Sequence, residues 1–325
     1  DGSFSLSYEN WLRAAKVPML VLNATTLNTG HNWQFTASWM GEPAVGVDEG
    51  VDASSRLRRF YYRDAPPGHP APPLGTAVAA SAAVPALFPP VEMKGLYEDI
   101  DVELADGGVH DNQGVASLVE QDCATILVSD ASGQARDDER PSRGLLGVAK
   151  RSNSILMSRV RGAQYDDLSD RRRAGVLRGL MVVHLKKGLP APPHDWIGCK
   201  EPYSPEDDAL PPGSGANRPD YGIDEEAQRA LAELRTDLDS FSDEEAYSLM
   251  AAGYAMARYE LPRALPDGAL EAPLEDAVAW PFAAYLERLG DPDQSLLDAL
   301  RRGHARFFRR FSAARSRLGE MLGSD

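Results

Sequence analysis

Asp106 is followed at once by two glycines, within Leu104-Ala105-Asp106-Gly107-Gly108-Val109-His110-Asp111. The alternating stretch from Tyr97 to Ala105 predicts a strand that delivers Asp106 at its end. Paired glycines admit positive φ and leave the aspartate side chain uncovered, as a carboxylate facing a substrate requires. Such a carboxylate can act as a general base, orient one, or bind a metal. It can equally cap a turn or the following helix, because Asp-Gly is a common turn signal. Spacing alone leaves these readings open.

Other chemistry-bearing residues weigh less. Glu98, Asp99, Asp101, Glu103, Asp106 and Asp111 could be read as a divalent-cation site. Alternation sends successive strand side chains to opposite faces, so a solvated strand edge is the better expectation. His110 lies four residues past Asp106 and invites a Ser-His-Asp reading, but a loop histidine is more often a turn or surface residue. His194, Asp195 and Cys199 share a proline-rich loop without recognised ligand spacing. His184 falls in an apolar strand and reads as a core residue. Cys123 and Cys199 form neither a metal pattern nor a disulfide framework, and Cys123 reads as a reduced core thiol. No metal and no cofactor are expected.

The elements that must position Asp106 are strands alternating with helices. Val17–Leu22 reads as a buried strand ending in the polar turn Asn23 to Gly30. Trp33–Trp39 reads as a second strand and Arg59–Arg63 as a third. Residues 64–73 carry five prolines and read as an exposed loop. A helix is predicted over Thr76–Leu87, ended by Pro89-Pro90. Asp111 reads as the N-cap of a helix over Gln113–Gln121. Thr125–Ser129 reads as a strand, 143–163 as a long helix followed by a charged helical segment, and Met181–Leu185 as a further strand. This alternation predicts an α/β fold in three layers with a mainly parallel central sheet. Residues 190–219 hold eight of the 24 prolines, which suits a surface insertion or a lid. Beyond them an α-helical C-terminal extension is expected, with a capping box at Ser242-Asp243-Glu244-Glu245 and a cap at Asp291-Pro292. The expected organisation is therefore 1–189, a loop over 190–220, and the extension over 221–325.

The composition, 43% hydrophobic and 26% charged, suits a globular protein with a sizeable core. The formal charge of −15 argues against nucleic-acid binding by the whole molecule. The opening residues show no signal-peptide pattern, and no secretory leader is expected. The charge-free stretch Leu74–Val91 has the length of a membrane span but is rich in alanine and broken by proline and glycine, and reads as buried in protein.

Three strings resemble the patatin-like lipid acyl hydrolases: Leu22-Asn23-Ala24-Thr25-Thr26-Leu27-Asn28-Thr29-Gly30, then Ala80 to Pro90, then Leu104-Ala105-Asp106-Gly107-Gly108 with Asn112 and Gln113. The resemblance covers roughly residues 15–186. The segment Arg235–Ser242 also resembles the extension of a larger bacterial subgroup. The family resemblance implies a serine–aspartate dyad that cleaves lipid acyl esters without a catalytic histidine. It makes Asp106 the dyad aspartate and general base, Gly107 the residue that keeps backbone clear of that contact, and Ser81 and Pro85 parts of a structural helix. The chain departs from the family in one respect. No serine has glycines two residues before and after it, so the Gly-x-Ser-x-Gly elbow is missing. The expectation is the C-terminal part of an acyl hydrolase, with the serine supplied by an N-terminal segment. This chain alone is then inactive. The rival expectation is a catalytically inactive regulatory or membrane-surface protein.

From Leu300 to Gly319 the chain carries seven arginines and no acid. A basic amphipathic helix with aromatics can lie on an anionic membrane, with Arg301, Arg302, Arg306, Phe307, Arg309 and Arg310 as the contacts. The competing expectation packs its phenylalanines inward and turns its arginines toward the acidic body. The expected location is cytoplasmic, and a peripheral position at the membrane follows from the first of these.

Overall fold

Short connections between alternating strands govern the architecture of this computed structural model, which describes residues 18–43, 54–65, 71–85, 87–132, 138–204, 219–235, 240–265 and 280–305. The chain divides into two units, residues 1–126 with 135–177, and residues 127–134 with 178–325. The first holds a six-stranded sheet of β1 (Leu22–Thr26), β2 (Asn32–Phe35), β3 (Trp39–Gly41), β4 (Phe60–Tyr61), β5 (Val91–Tyr97) and β6 (Ile100–Asp106). Its order is β4-β3-β2-β1-β6-β5.

Every neighbouring pair in this sheet is antiparallel. This corrects the mainly parallel sheet expected from the sequence. Residues 27–31, 36–38 and 98–99 link successive strands, and a parallel crossover needs roughly a dozen residues or more. Parallel pairing is confined to a two-stranded sheet of β7 (Thr125–Asp130) and β8 (Gly179–His184).

The two faces of the large sheet differ in character. One buries Ala24, Trp33, Phe35, Met40, Val102 and Leu104 against Ala77 and Ala80 of α1 (Leu74–Ser81). Each large side chain there contributes about 1.5–3 kcal/mol by leaving water. The other face is polar. Ser117 of α3 (Val115–Glu120) donates to Asn23 Oδ1 at 2.6 Å and accepts from Gln34 Nε2 at 2.9 Å. Asn32 donates to Asn23 Oδ1 at 3.1 Å, and Gln34 also donates to Glu120 at 2.9 Å. Arg59 donates to Gln34 Oε1 at 2.8 Å, pairs with Glu120, and lies 3.7 Å above the Trp39 ring. Buried polar groups paired in this way fix register without the penalty of lost hydration.

Several predicted boundaries shift. β1 begins where the sequence suggests a turn, because Asn23 and Thr25 bond across to neighbouring elements rather than to their own loop. Trp33–Trp39 is a hairpin rather than one strand, since Thr36 Oγ1 accepts the Ser38 and Trp39 N–H groups and reverses the chain. Tyr97–Ala105 likewise spans a hairpin, turned at Glu98-Asp99 with Asp99 at φ 59°. Aspartate tolerates that conformation better than most residues. The helix predicted over 143–163 and the charged segment after it are one element, α4 (Leu145–Arg173).

In the second unit, α5 (Glu225–Ala232), α6 (Asp243–Ala264), α7 (Ala283–Gly290) and α8 (Gln294–Ala305) follow β8. Their core is formed by Leu231, Leu234, Ala251, Ala252, Leu289, Leu296 and Leu300. The capping box at α6 is present: Ser242 Oγ accepts the Glu245 N–H and Glu245 accepts the Ser242 N–H. At α8 the cap is Asp293, not Asp291, because its Oδ1 accepts the Leu296 N–H at 2.8 Å. Glu245 also pairs with Arg235 at 2.7 Å, both side chains being buried. Arg235 further donates to the carbonyls of Gly303 and Ser240.

Candidate active site

β6 carries Asp106 to the edge of the apolar core and releases it into α2 (Gly108–Asp111). The Asp106 side chain is half-buried. Its Oδ1 accepts the Gly108 N–H at 2.6 Å, while Oδ2 accepts no hydrogen bond from the described residues. One carboxylate oxygen is thus anchored and the other left available to a proton donor.

The glycines serve space rather than positive φ. Gly107 is right-handed helical at φ −61°, ψ −28°. A Cβ there would stand 2.4 Å from the Asn23 carbonyl oxygen. At Gly108 it would stand 2.5 Å from Asn112 Oδ1 and 2.9 Å from Asp106 Oδ1. Only without side chains can the turn press against β1 and let the carboxylate fold back onto its own N–H. The expected left-handed turn is therefore corrected to a close approach.

Three separate stretches of sequence converge on this turn. Asp106 pairs with Ala24 of β1, and Thr25 Oγ1 donates to the Asp106 carbonyl at 2.8 Å. That hydroxyl also accepts the His110 N–H at 3.2 Å. From the end of α1, the Ala83 carbonyl accepts the Asp106 N–H at 3.0 Å and the Ser81 carbonyl accepts the Gly107 N–H at 3.3 Å. Strings 22–30, 80–90 and 104–108 are thereby one local structure. Residues 10–119 match the patatin-like phospholipase family. The patatin-like segment is about a third of the 325-residue chain and ends before β7. No curated protein matches the chain.

Around this patatin-like turn, Asp111 is buried and accepts the N–H groups of Gln113, Gly114 and Ala116. It organises the start of α3, as its predicted cap role requires. The His110 imidazole is held below its ordinary 6.5, chiefly by burial, with His31 and Arg56 pushing the same way against Asp111 and Glu42. It is neutral at pH 7.

The remaining candidates lie elsewhere. Among the described residues no group of three or more His, Cys, Asp or Glu side chains is placed to hold a metal ion. The acidic hairpin is partly paired, Lys94 meeting Glu92 at 3.0 Å. Asp195 accepts the Tyr203 N–H rather than joining His194 and Cys199 in a ligand set. Both cysteines are free thiols, half-buried; Cys123 is less enclosed than a core residue. Arg301 pairs with Glu226 and Asp298, and Arg302 donates to the Asp298 carbonyl. Arg306, Phe307, Arg309 and Arg310 lie outside the described residues. Among the described residues no helix is long and apolar enough to cross a membrane, and Leu74–Val91 supplies only the eight-residue α1.

Sequence reading missed Thr25, whose hydroxyl ties β1 to the Asp106 turn, and Asn23, whose carbonyl makes Gly107 obligatory. Both lie in the first resembling string, which was the available signal.

Proposed function

We propose that this chain supplies the general base of a lipid acyl hydrolase. A serine hydroxyl, delivered by an N-terminal segment carrying the missing elbow, attacks the ester carbonyl while Asp106 takes the hydroxyl proton. The alcohol leaves with a proton, and water then hydrolyses the acyl-enzyme with Asp106 again as base. The observation carrying this reading is the half-buried Asp106 carboxylate, one oxygen anchored on Gly108 N–H and the other open. Gly107 positions the backbone, and 1–189 forms the hydrolase part ahead of the 190–220 loop and the 221–325 extension.

A further observation supports the incoming segment. Leu145, Val148, Ile155, Leu156 and Val160 are exposed along α4, Leu145 at 85% and Leu156 at 62%. Apolar surface of that kind is ordinarily covered by another packed element. The test is the reading frame upstream of Asp1. A Gly-x-Ser-x-Gly segment running into it, whose product hydrolyses lipid esters in the presence of a chelator, is the expected result. Inhibition by the chelator would revive a cation at the acidic strand.

The inactive reading rests on the same missing elbow. It assigns a regulatory role, peripheral at a cytoplasmic membrane surface through Arg301, Arg302, Arg306, Phe307, Arg309 and Arg310. Flotation with anionic liposomes, comparing the full chain with one ending before Asp291, tests that contact. Equal binding by both ends the idea.

A further inference from the structure

The proline-rich loop of the second unit carries a closed turn at residues 194–203. The Trp196 carbonyl accepts the Cys199 N–H at 3.0 Å, which makes a β-turn of Trp196-Ile197-Gly198-Cys199. Gly198 stands at φ 78° while Ile197 stays out of the positive region, the arrangement of a type II turn with glycine in third place. Below the turn both Asp195 carboxylate oxygens accept the Tyr203 N–H, at 3.1 and 3.0 Å. Cys199 Sγ donates to the Glu201 carbonyl at 3.2 Å. Pro192, Pro193 and Pro202 flank these bonds and restrict the backbone further. The loop is held in shape by its own residues.

What the turn presents is apolar. Ile197 is 104% exposed, the highest value for a large apolar side chain among the described residues, and Trp196 is 74% exposed. Neither serves the turn. The second place of a type II turn favours proline, and the glycine alone supplies the positive φ. Single exposed apolar side chains are ordinary. Two consecutive ones at the apex of a turn tied off by three hydrogen-bonding residues call for an apolar phase outside the protein.

Area and charge decide which phase. Two side chains offer roughly 300–400 Å², well short of the about 1,000 Å² that a specific protein–protein contact buries. A lipid surface has no such threshold, because membrane contact grows with whatever apolar area is inserted. Tryptophan suits the boundary between headgroups and acyl chains, where its ring is buried and its N–H stays wet. Beside the apex stand Asp195 and Glu201 against the single Lys200. That balance repels an anionic surface and leaves a zwitterionic one.

We propose that the Trp196–Ile197 apex is a membrane contact that inserts into a surface of zwitterionic lipid. It is separate from the arginine segment, whose attraction needs anionic lipid. The test mixes the full chain with phosphatidylcholine vesicles free of anionic lipid and follows flotation and tryptophan emission. The chain is expected to float in part, and brominated acyl chains should quench its emission. Trp196→Ser combined with Ile197→Ser should lower partitioning about tenfold or more and remove most of the quenching, with the thermal melt unchanged because both side chains are exposed. Trp196→Phe combined with Ile197→Leu keeps the apolar apex and should keep partitioning near the wild-type value. No flotation on phosphatidylcholine, flotation on anionic vesicles only, absence of quenching in the wild-type chain, or equal partitioning of the serine variant overturns the proposal. Dimerisation that the serine variant abolishes would give the apex to a second copy and overturn it as well. The readout is binding alone, so its failure leaves the Asp106 reading standing.

Discussion

The two units bury polar groups to opposite ends. In the helical unit Arg235 and Glu245 close on each other, with further hydrogen bonds to Ser240, Ser242 and Gly303. Nothing in that arrangement needs a ligand. Beside the Asp106 turn, one carboxylate oxygen, the Thr26 hydroxyl, the His110 Nδ1 and the Gln164 Oε1 are left without partners among the described residues. A buried ion pair tied into its own unit specifies structure, whereas a carboxylate oxygen left open is what a catalytic site requires. Mutations should therefore cost stability in the first case and binding or activity in the second.

The largest effect is expected from Glu245→Ala. It strands the Arg235 charge in the core and should cost about 3–5 kcal/mol in urea denaturation. A cost below about 1 kcal/mol would break the contrast, since exposed pairs fall there. The same pair predicts an acid limb. Burial alone would raise the Glu245 carboxyl, but hydrogen bonds from Arg235 and Ser242 and the guanidinium charge hold it below its ordinary 4.5. A depressed folded value gives stability that is present above pH 4.5 and is lost as pH falls through the folded value. Glu245→Gln should flatten that limb, and an unchanged pH profile would contradict the assignment.

Next come two glycines that admit no side chain. At Gly107 a Cβ would meet backbone, the Asn23 oxygen at 2.4 Å. At Gly303 it would stand 2.1 Å from Glu245 Oε1 and 2.7 Å from Leu234 Cδ2. Alanine at either should destabilise by about 1–3 kcal/mol through overpacking, against the gain of up to about 1 kcal/mol that alanine brings inside a helix. Thermal melts of both variants check this, and a neutral Gly107→Ala would mean the turn has room to move. The smallest effect belongs to Gln164→Leu. It removes an oxygen that has no partner, so stability should change by less than about 0.5 kcal/mol or rise slightly. A loss of more than about 1 kcal/mol would show that Gln164 is structural.

How far the sequence could be read follows the same division. The Asp106 turn, the Ser242–Glu245 capping box and the apolar runs of β7 and β8 were legible because each is announced by adjacent residues. The start of β1 was not, since Asn23 and Thr25 look like turn formers until α2 and α3 are there to bond them. Strand direction was hidden as well. Trp33–Trp39 and Tyr97–Ala105 each read as one strand, and only the reversals at Thr36 and Asp99 turn them into antiparallel hairpins. The need for glycines after Asp106 is legible, but the reason for Gly107, contact with Asn23, lies across the fold.

The central claim is that the Asp106 carboxylate serves chemistry rather than the fold. Asp106→Asn keeps the shape and the acceptor for the Gly108 N–H but removes the base. Made in the protein joined to its nucleophile segment and assayed on a soluble glycerol ester beside a thermal melt, it should lower turnover by about 10²-fold or more with the melting temperature essentially unchanged. Retained turnover at wild-type rate would contradict the account.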